Sequence, residues 1–262
     1  MNRTLVCPLA FALALVPAAA GSASSKTSEP LGLTAAPARL VLHRSGAATV
    51  RLRNPGKKPV AVEVAAAGLA LDLHGRPRIV KRGGPRSAAG WLTLRPAHIT
   101  LGSHKAGALL VSARVPRGAE PGDHDALVLL STRPLRQARV SVRLRLGVVV
   151  VVRAPGAVVR RLDLRRLRVT LRRRGTRALE LVVVNSGNVT ERLVHVRATL
   201  SRPASRRRIT TVAASARELR SHTRGLLEFR LRTGATGPVT LRVVVPAEPG
   251  RPVISRTYHI RI

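Results

Sequence analysis

Two stretches of this sequence impose the same constraint. Val50 to Val64 reads VRLRNPGKKPVAVEV, and Leu179 to Val196 reads LELVVVNSGNVTERLVHV. In each, a β-prone run breaks at Asn-x-Gly and a second run follows. Asn tolerates left-handed backbone angles, and Gly reaches positive φ at no steric cost. Asn54, Gly56, Asn185 and Gly187 therefore read as strand-to-strand corners, with both glycines expected at positive φ. The same corner at matching depth in two segments predicts two copies of one fold.

The flanking residues alternate. Leu40 and Leu42 share a face, and Val50 and Leu52 recover the period after Ser45-Gly46. Val60, Val62 and Val64 follow the first corner, then Leu109, Val111, Ala113 and Val115, then Val140, Val142, Leu144 and Leu146. Short alternating runs between Pro/Gly turns such as Pro116 to Gly122 specify antiparallel sandwiches. Arg153-Ala154-Pro155-Gly156 reads as a boundary. The expected organisation is a first domain over residues 34–153, a linker at 154–157 and a second domain over 158–262. In the second, Leu162 and Leu164 keep period two, and Leu167, Val169 and Leu171 resume it after one slip. Residues 201–208 and 217–224 read as exposed loops. The fold class is all-β, with two tandem immunoglobulin-like antiparallel β-sandwiches.

Before them, residues 1–20 read MNRTLVCPLAFALALVPAAA. A basic residue, an apolar stretch and small residues at the end define a secretory signal peptide. Residues 21–33 read as a flexible segment. The single cysteine, Cys7, leaves with the signal, so the exported chain is expected to have neither disulfide nor thiol nucleophile. No later apolar run is long enough for a membrane helix, and no LPxTG-type sorting signal or terminal anchor is expected. The expected location is secreted, or held at the cell wall or cell surface. The sequence has 42 Arg against 5 Lys, a bias suited to a GC-rich bacterial genome.

Catalytic chemistry is sparse. Asp123-His124-Asp125 is the closest acidic pair. On a strand the two carboxylates share one face and the imidazole takes the other, which reads as the solvated start of a strand, not a metal site. No HExxH or GxSxG motif occurs, so no enzyme, cofactor or metal is expected. Trp91, Phe229 and Tyr258 are the only aromatics after the signal. Trp91 reads as core filler, and the shortage argues against sugar stacking and single-stranded nucleic-acid binding.

Charge is the other strong signal: 47 Lys and Arg face 12 Asp and Glu, a formal net charge of +35. The excess is spread over both halves. Its densest runs are Arg165-Arg166-x-Arg168, Arg172-Arg173-Arg174 and Arg206-Arg207-Arg208. They are candidate contacts for an anionic wall polymer or, peripherally, an anionic membrane surface. Export and the lack of a recognition helix argue against a specific nucleic-acid partner.

Trp91 to Ser131 reads WLTLRPAHITLGSHKAGALLVSARVPRGAEPGDHDALVLLS. With Asn54-x-Gly56 before it, this stretch resembles the exported bacterial WxL-protein peptidoglycan-binding domains. These belong to a broad immunoglobulin-like group that includes pilus-chaperone-like folds. The resemblance covers residues 34 to 150, and the region after 158 looks like the related second domain. It implies a non-enzymatic surface protein whose first domain engages peptidoglycan and whose second meets a surface or protein partner. The other reading is a chaperone-like assembly factor for another exported protein. No basic pair of the kind pilus chaperones use to hold a subunit carboxylate aligns here.

Overall fold

The computed structural model describes residues 32–80, 83–84, 86–133, 135–137, 140–172 and 176–262. The signal-peptide segment, Arg173 and Arg174 lie outside the described residues.

The first half forms β1 (Thr34–Ala36), β2 (Arg39–His43), β3 (Ala47–Arg53), β4 (Val60–Leu71), β5 (Pro77–Val80), β6 (Leu92–Arg95), β7 (His98–Leu101), β8 (Ala106–Ala113), β9 (Gly122–Thr132), β10 (Leu135–Gln137), β11 (Val140–Val142) and β12 (Arg145–Ala154). One sheet has the order β1-β3-β8-β6 and the other β2-β12-β9-β4-β5, with β7 also on β4. The second half forms β13 (Leu162–Leu171), β14 (Arg177–Asn185), β15 (Glu191–Leu193), β16 (Arg197–Ser201), β17 (Arg208–Ala213), β18 (Arg217–Leu219), β19 (Thr223–Leu231), β20 (Pro238–Val245) and β21 (Ile254–Arg261). Here β13-β14-β19 faces β17-β16-β20-β21, and β15 pairs with β18. The fold is all-β, with immunoglobulin-like antiparallel sandwiches.

Alternation explains the layers. β3 buries Val50 and Leu52 and leaves Arg51 and Arg53 in solvent, while β14 buries Leu179, Leu181 and Val183. One apolar cluster gathers residues from Leu33 to Val152, and a second gathers residues from Leu162 to Val245. The slip in β13 is a bulge: Leu164 pairs with Val183 and Leu167 with Leu181, so Arg165 and Arg166 together oppose Val182. A bulge of this kind keeps the following residues on their faces while re-aiming the extra one. Leu171 departs from the expected inward face; it is 76% exposed at the open end of β13.

The two Asn-x-Gly corners are built alike. The Asn54 amide donates to the carbonyls of Lys58, Leu101 and Gly102, and its Oδ1 accepts from the Gly56 N–H. The Asn185 amide donates to Val189, Leu219 and Arg220, and its Oδ1 accepts from the Gly187 N–H. Both side chains are fully buried. The Gly56 carbonyl accepts from His104 N–H and the Gly187 carbonyl from His222 N–H. Those histidines hold the positive backbone angles, φ 55° and 52°. Each ends a Leu-x-Ser-His run, Leu101 to His104 and Leu219 to His222. The expectation for the glycines is thereby corrected: neither Gly56 nor Gly187 has positive φ. Gly187 is required for closeness instead, since a Cβ there would sit 2.3 Å from the Val159 carbonyl oxygen.

Candidate functional site

β12 is paired along one edge and only half paired along the other. β9 runs beside all of it, from Arg145 opposite Ser131 to Ala154 opposite Gly122. β2 covers only Val149 to Arg153, in parallel register. The cause is the path of the chain before β2. Thr34 to Ala36 belongs to the opposite sheet, on β3, and the chain crosses to β12 only at Ala38. Among the described residues, no strand lies beside Arg145 to Val148 on that side.

The direction of the free groups follows from period two. Val149 N–H donates to Ala38 O. Alternate residues send their N–H and C=O to the same edge, so Gly147 and Arg145 point theirs at the uncovered one. Val148 is in the core, Leu146 is half-buried and Gly147 offers no side chain. The result is a short strand edge with a firm apolar backing. Such edges are templates for pairing with another chain.

Beyond the other end of β12 lies the joint between the sandwiches. Asp123, on β9, accepts from Arg153 Nε at 2.7 Å and from Thr190 N–H at 2.7 Å, while its carbonyl accepts from Ser221. Asp125 meets Arg220 at 3.1 Å. Asp123 N–H donates to Asn188 O, and Leu226 N–H to Leu73 O. Arg39 pairs with Glu218 across the same joint. The Asp-His-Asp stretch is therefore not a solvated strand start: Asp123 and His124 are each 2% exposed. Its predicted alternation does appear, since His124 turns the other way, against Trp91, with ring centres 4.3 Å apart. The segment read as a second loop, residues 217–224, carries β18 and the buried Arg220 and Ser221.

Burial tends to raise the Asp123 carboxyl, but the hydrogen bonds from Arg153 and Thr190 outweigh it and hold the group below the ordinary value. Asp125 lacks that support. Burial pushes it up to about 6, against the pull of Arg220. Between an ordinary carboxyl value near 4 and pH 6, the folded state holds a proton that the unfolded state has lost. Stability from Asp125 is thus full below about pH 4 and fades as pH rises through 6. Urea melts of the wild type and Asp125→Asn should diverge on acidification. The wild type should gain about 1 kcal/mol relative to the variant between pH 7 and 5. Parallel profiles would exclude the assignment.

The arginine runs separate. Arg165, Arg166 and Arg168 line one groove on the outer face of β13-β14-β19. Arg206, Arg207 and Arg208 are exposed at the β16–β17 hairpin of the other sheet. Arg172 is not free for a polyanion, because it bridges Glu180 at 2.8 Å and Glu228 at 2.6 Å. Trp91 sits half-buried against the first core. Glu191, which no motif in the sequence marks, is fully buried and held by Arg160 and Arg251. Its only sequence signal is an acid interrupting an alternating apolar run. Among the described residues no group of three His, Cys, Asp or Glu is placed to hold a metal, and no helix is long and apolar enough to cross a membrane.

These features define a pair of immunoglobulin-like sandwiches with a half-open strand edge. Several solved structures align along most of the chain. They include a chaperone–tip adhesin complex of CFA/I fimbriae, at 10% identity and TM-score 0.49, covering 86% of this chain and 98% of that one. The Salmonella enterica SafA pilin–SafB chaperone complex aligns at 14% identity and TM-score 0.48, covering 90% and 98%. The YadV chaperone aligns at 10% identity and TM-score 0.47, covering 88% and 99%. No protein-family model matches the sequence, and no curated protein does. The resemblance to WxL-protein domains therefore gains no support from these comparisons.

Proposed function

We propose that this is a non-enzymatic exported binding protein that takes up an extended segment of another exported protein along β12, in the manner of an assembly factor. The observation that carries the reading is the uncovered edge at Arg145 to Val148, continuous with the line of β2. An added strand would satisfy the outward N–H and C=O of Arg145 and Gly147 and extend the six-stranded sheet. Among the described residues the wall-glycan reading has no comparable surface. Phe229 is buried, and Trp91 and Tyr258 are each packed partly into a core, so no described aromatic is fully exposed for sugar stacking.

Gly147→Pro tests it. Proline removes the outward N–H at a position where no β2 residue needs it, so the sandwich keeps its own ladder. The wild type should co-purify a defined exported polypeptide, and the amides of Arg145 and Gly147 should become protected from hydrogen exchange in that complex. The variant should fold, with the end of the Leu127 side chain giving way to the added Cβ, which would lie 2.9 Å from its Cδ1, and should lose the partner. Undiminished capture by the variant, or a complex without protection at those amides, would overturn the proposal.

A further inference from the structure

The groove on the outer face of β13-β14-β19 has a volume of about 780 Å³. Its floor is apolar: Val182 and Val184 project outward from β14, Leu226 does so from β19, and Leu73 closes one end from the first sandwich. Its rim is cationic, with Arg165, Arg166, Arg168, Arg224 and Arg256 around a single acid, Glu180. That acid is already engaged by Arg172. Arg165 has Asp163 at 3.2 Å, and Arg256 donates to the Leu164 carbonyl. Arg166, Arg168 and Arg224 have no ion-pair partner among the described residues. The bulge in β13 is what places two successive arginines opposite Val182, where a regular strand would place one.

We propose that this groove binds an acidic polypeptide segment whose carboxylates alternate with aliphatic side chains. Unpartnered guanidinium groups are pre-shaped to hold carboxylates through paired N–H donors. The aliphatic floor distinguishes such a segment from a bare polyanion, which has nothing to bury there. Charge complementarity and the apolar floor thus select the same ligand. The site lies on a different sheet from the β12 edge and works independently of it.

The probe is a labelled synthetic peptide alternating Asp or Glu with Leu or Val. It is compared with the same peptide carrying Ser at the aliphatic positions and with inorganic polyphosphate. Binding is measured by fluorescence anisotropy with the full exported chain at about 0.15 M salt, where exposed charges are screened beyond roughly 8 Å. Arg166→Gln with Arg168→Gln should weaken the aliphatic peptide about tenfold. Both side chains are exposed, so the fold should survive. Val182→Thr should weaken the aliphatic peptide about threefold and leave the Ser peptide unmoved. Arg206→Gln with Arg207→Gln should change binding less than about twofold. Equal losses from the two arginine pairs would reduce the effect to general charge and overturn the site. So would polyphosphate or the Ser peptide binding as tightly as the aliphatic peptide. Gly147→Pro should leave peptide affinity unchanged; a loss there would move the peptide to the β12 edge and overturn the groove assignment while sparing the strand-addition reading.

Discussion

Asn185→Ala is expected to destabilise the protein by about 3–5 kcal/mol in urea or guanidinium melts. The side chain is fully buried and makes four hydrogen bonds that tie the corner together. Its amide has two hydrogens and three carbonyls within reach, at 2.8, 3.1 and 2.9 Å from Val189, Leu219 and Arg220. One of those hydrogens is therefore shared. Alanine strands the Gly187 N–H and removes the amide donor from the Val189, Leu219 and Arg220 carbonyls, of which Arg220 keeps the Thr223 hydroxyl; each buried group left unsatisfied costs about 1–3 kcal/mol. Asn54→Ala should behave in the same way in the first sandwich, because its four contacts repeat. Ser186→Ala, one residue along and with only a 3.5 Å contact to Arg161 O, should stay within about 0.5 kcal/mol. A loss below about 1 kcal/mol for Asn185→Ala would mean that the corner closes without its side chain.

The second large effect is expected at Glu191. Its carboxylate is fully buried, 3.1 Å from Arg160 and 3.1 Å from Arg251, and Arg251 is itself 4% exposed. Removing the acid leaves the buried Arg251 guanidinium with only the longer contact to Glu248, at 3.9 Å, to balance its charge. Glu191→Ala should cost about 3–5 kcal/mol, the usual consequence of breaking a buried pair from one side. Replacing both partners should cost less. Glu191→Leu combined with Arg251→Met removes both buried charges, and it should recover much of the stability lost by Glu191→Leu alone. A double variant as unstable as the single would show that the cluster is needed for geometry, not for charge balance.

How much of this could be read beforehand depends on how far apart the interacting residues lie. Asn-x-Gly is local chemistry, and its double occurrence announced a duplicated sandwich. The slip between Leu164 and Leu167 was visible as a fault in a period, and the fault is the bulge that aims Arg165 and Arg166 at the groove. The Leu-x-Ser-His runs are also written in the sequence. Their partnership with Asn54 and Asn185 spans 47 and 34 residues, a closure only the topology reveals. The joint was illegible for the same reason. Asp123, Asp125, Arg220 and Ser221 are polar residues at strand ends, and polar strand ends are normally wet. Only the docking of one sandwich on the other buries them. Arginine density was also misleading at Arg172, whose charge is taken up by Glu180 on the neighbouring strand and by Glu228, 56 residues away.

The duplicated corners differ at one place. Where the first has Gly102, the second has Arg220, and both backbone carbonyls accept from the corner asparagine. Only the second copy therefore has a side chain at that point able to reach Asp125. The copies are equivalent in how they close but unequal in what they can address. An array in which they exchanged places would still contain two well-folded units, yet it would lack the Arg220–Asp125 pair at their joint. One part of the tandem's order is thus written into a single substitution within a repeated motif, and an Arg220→Gly variant should keep both sandwiches while loosening their mutual orientation.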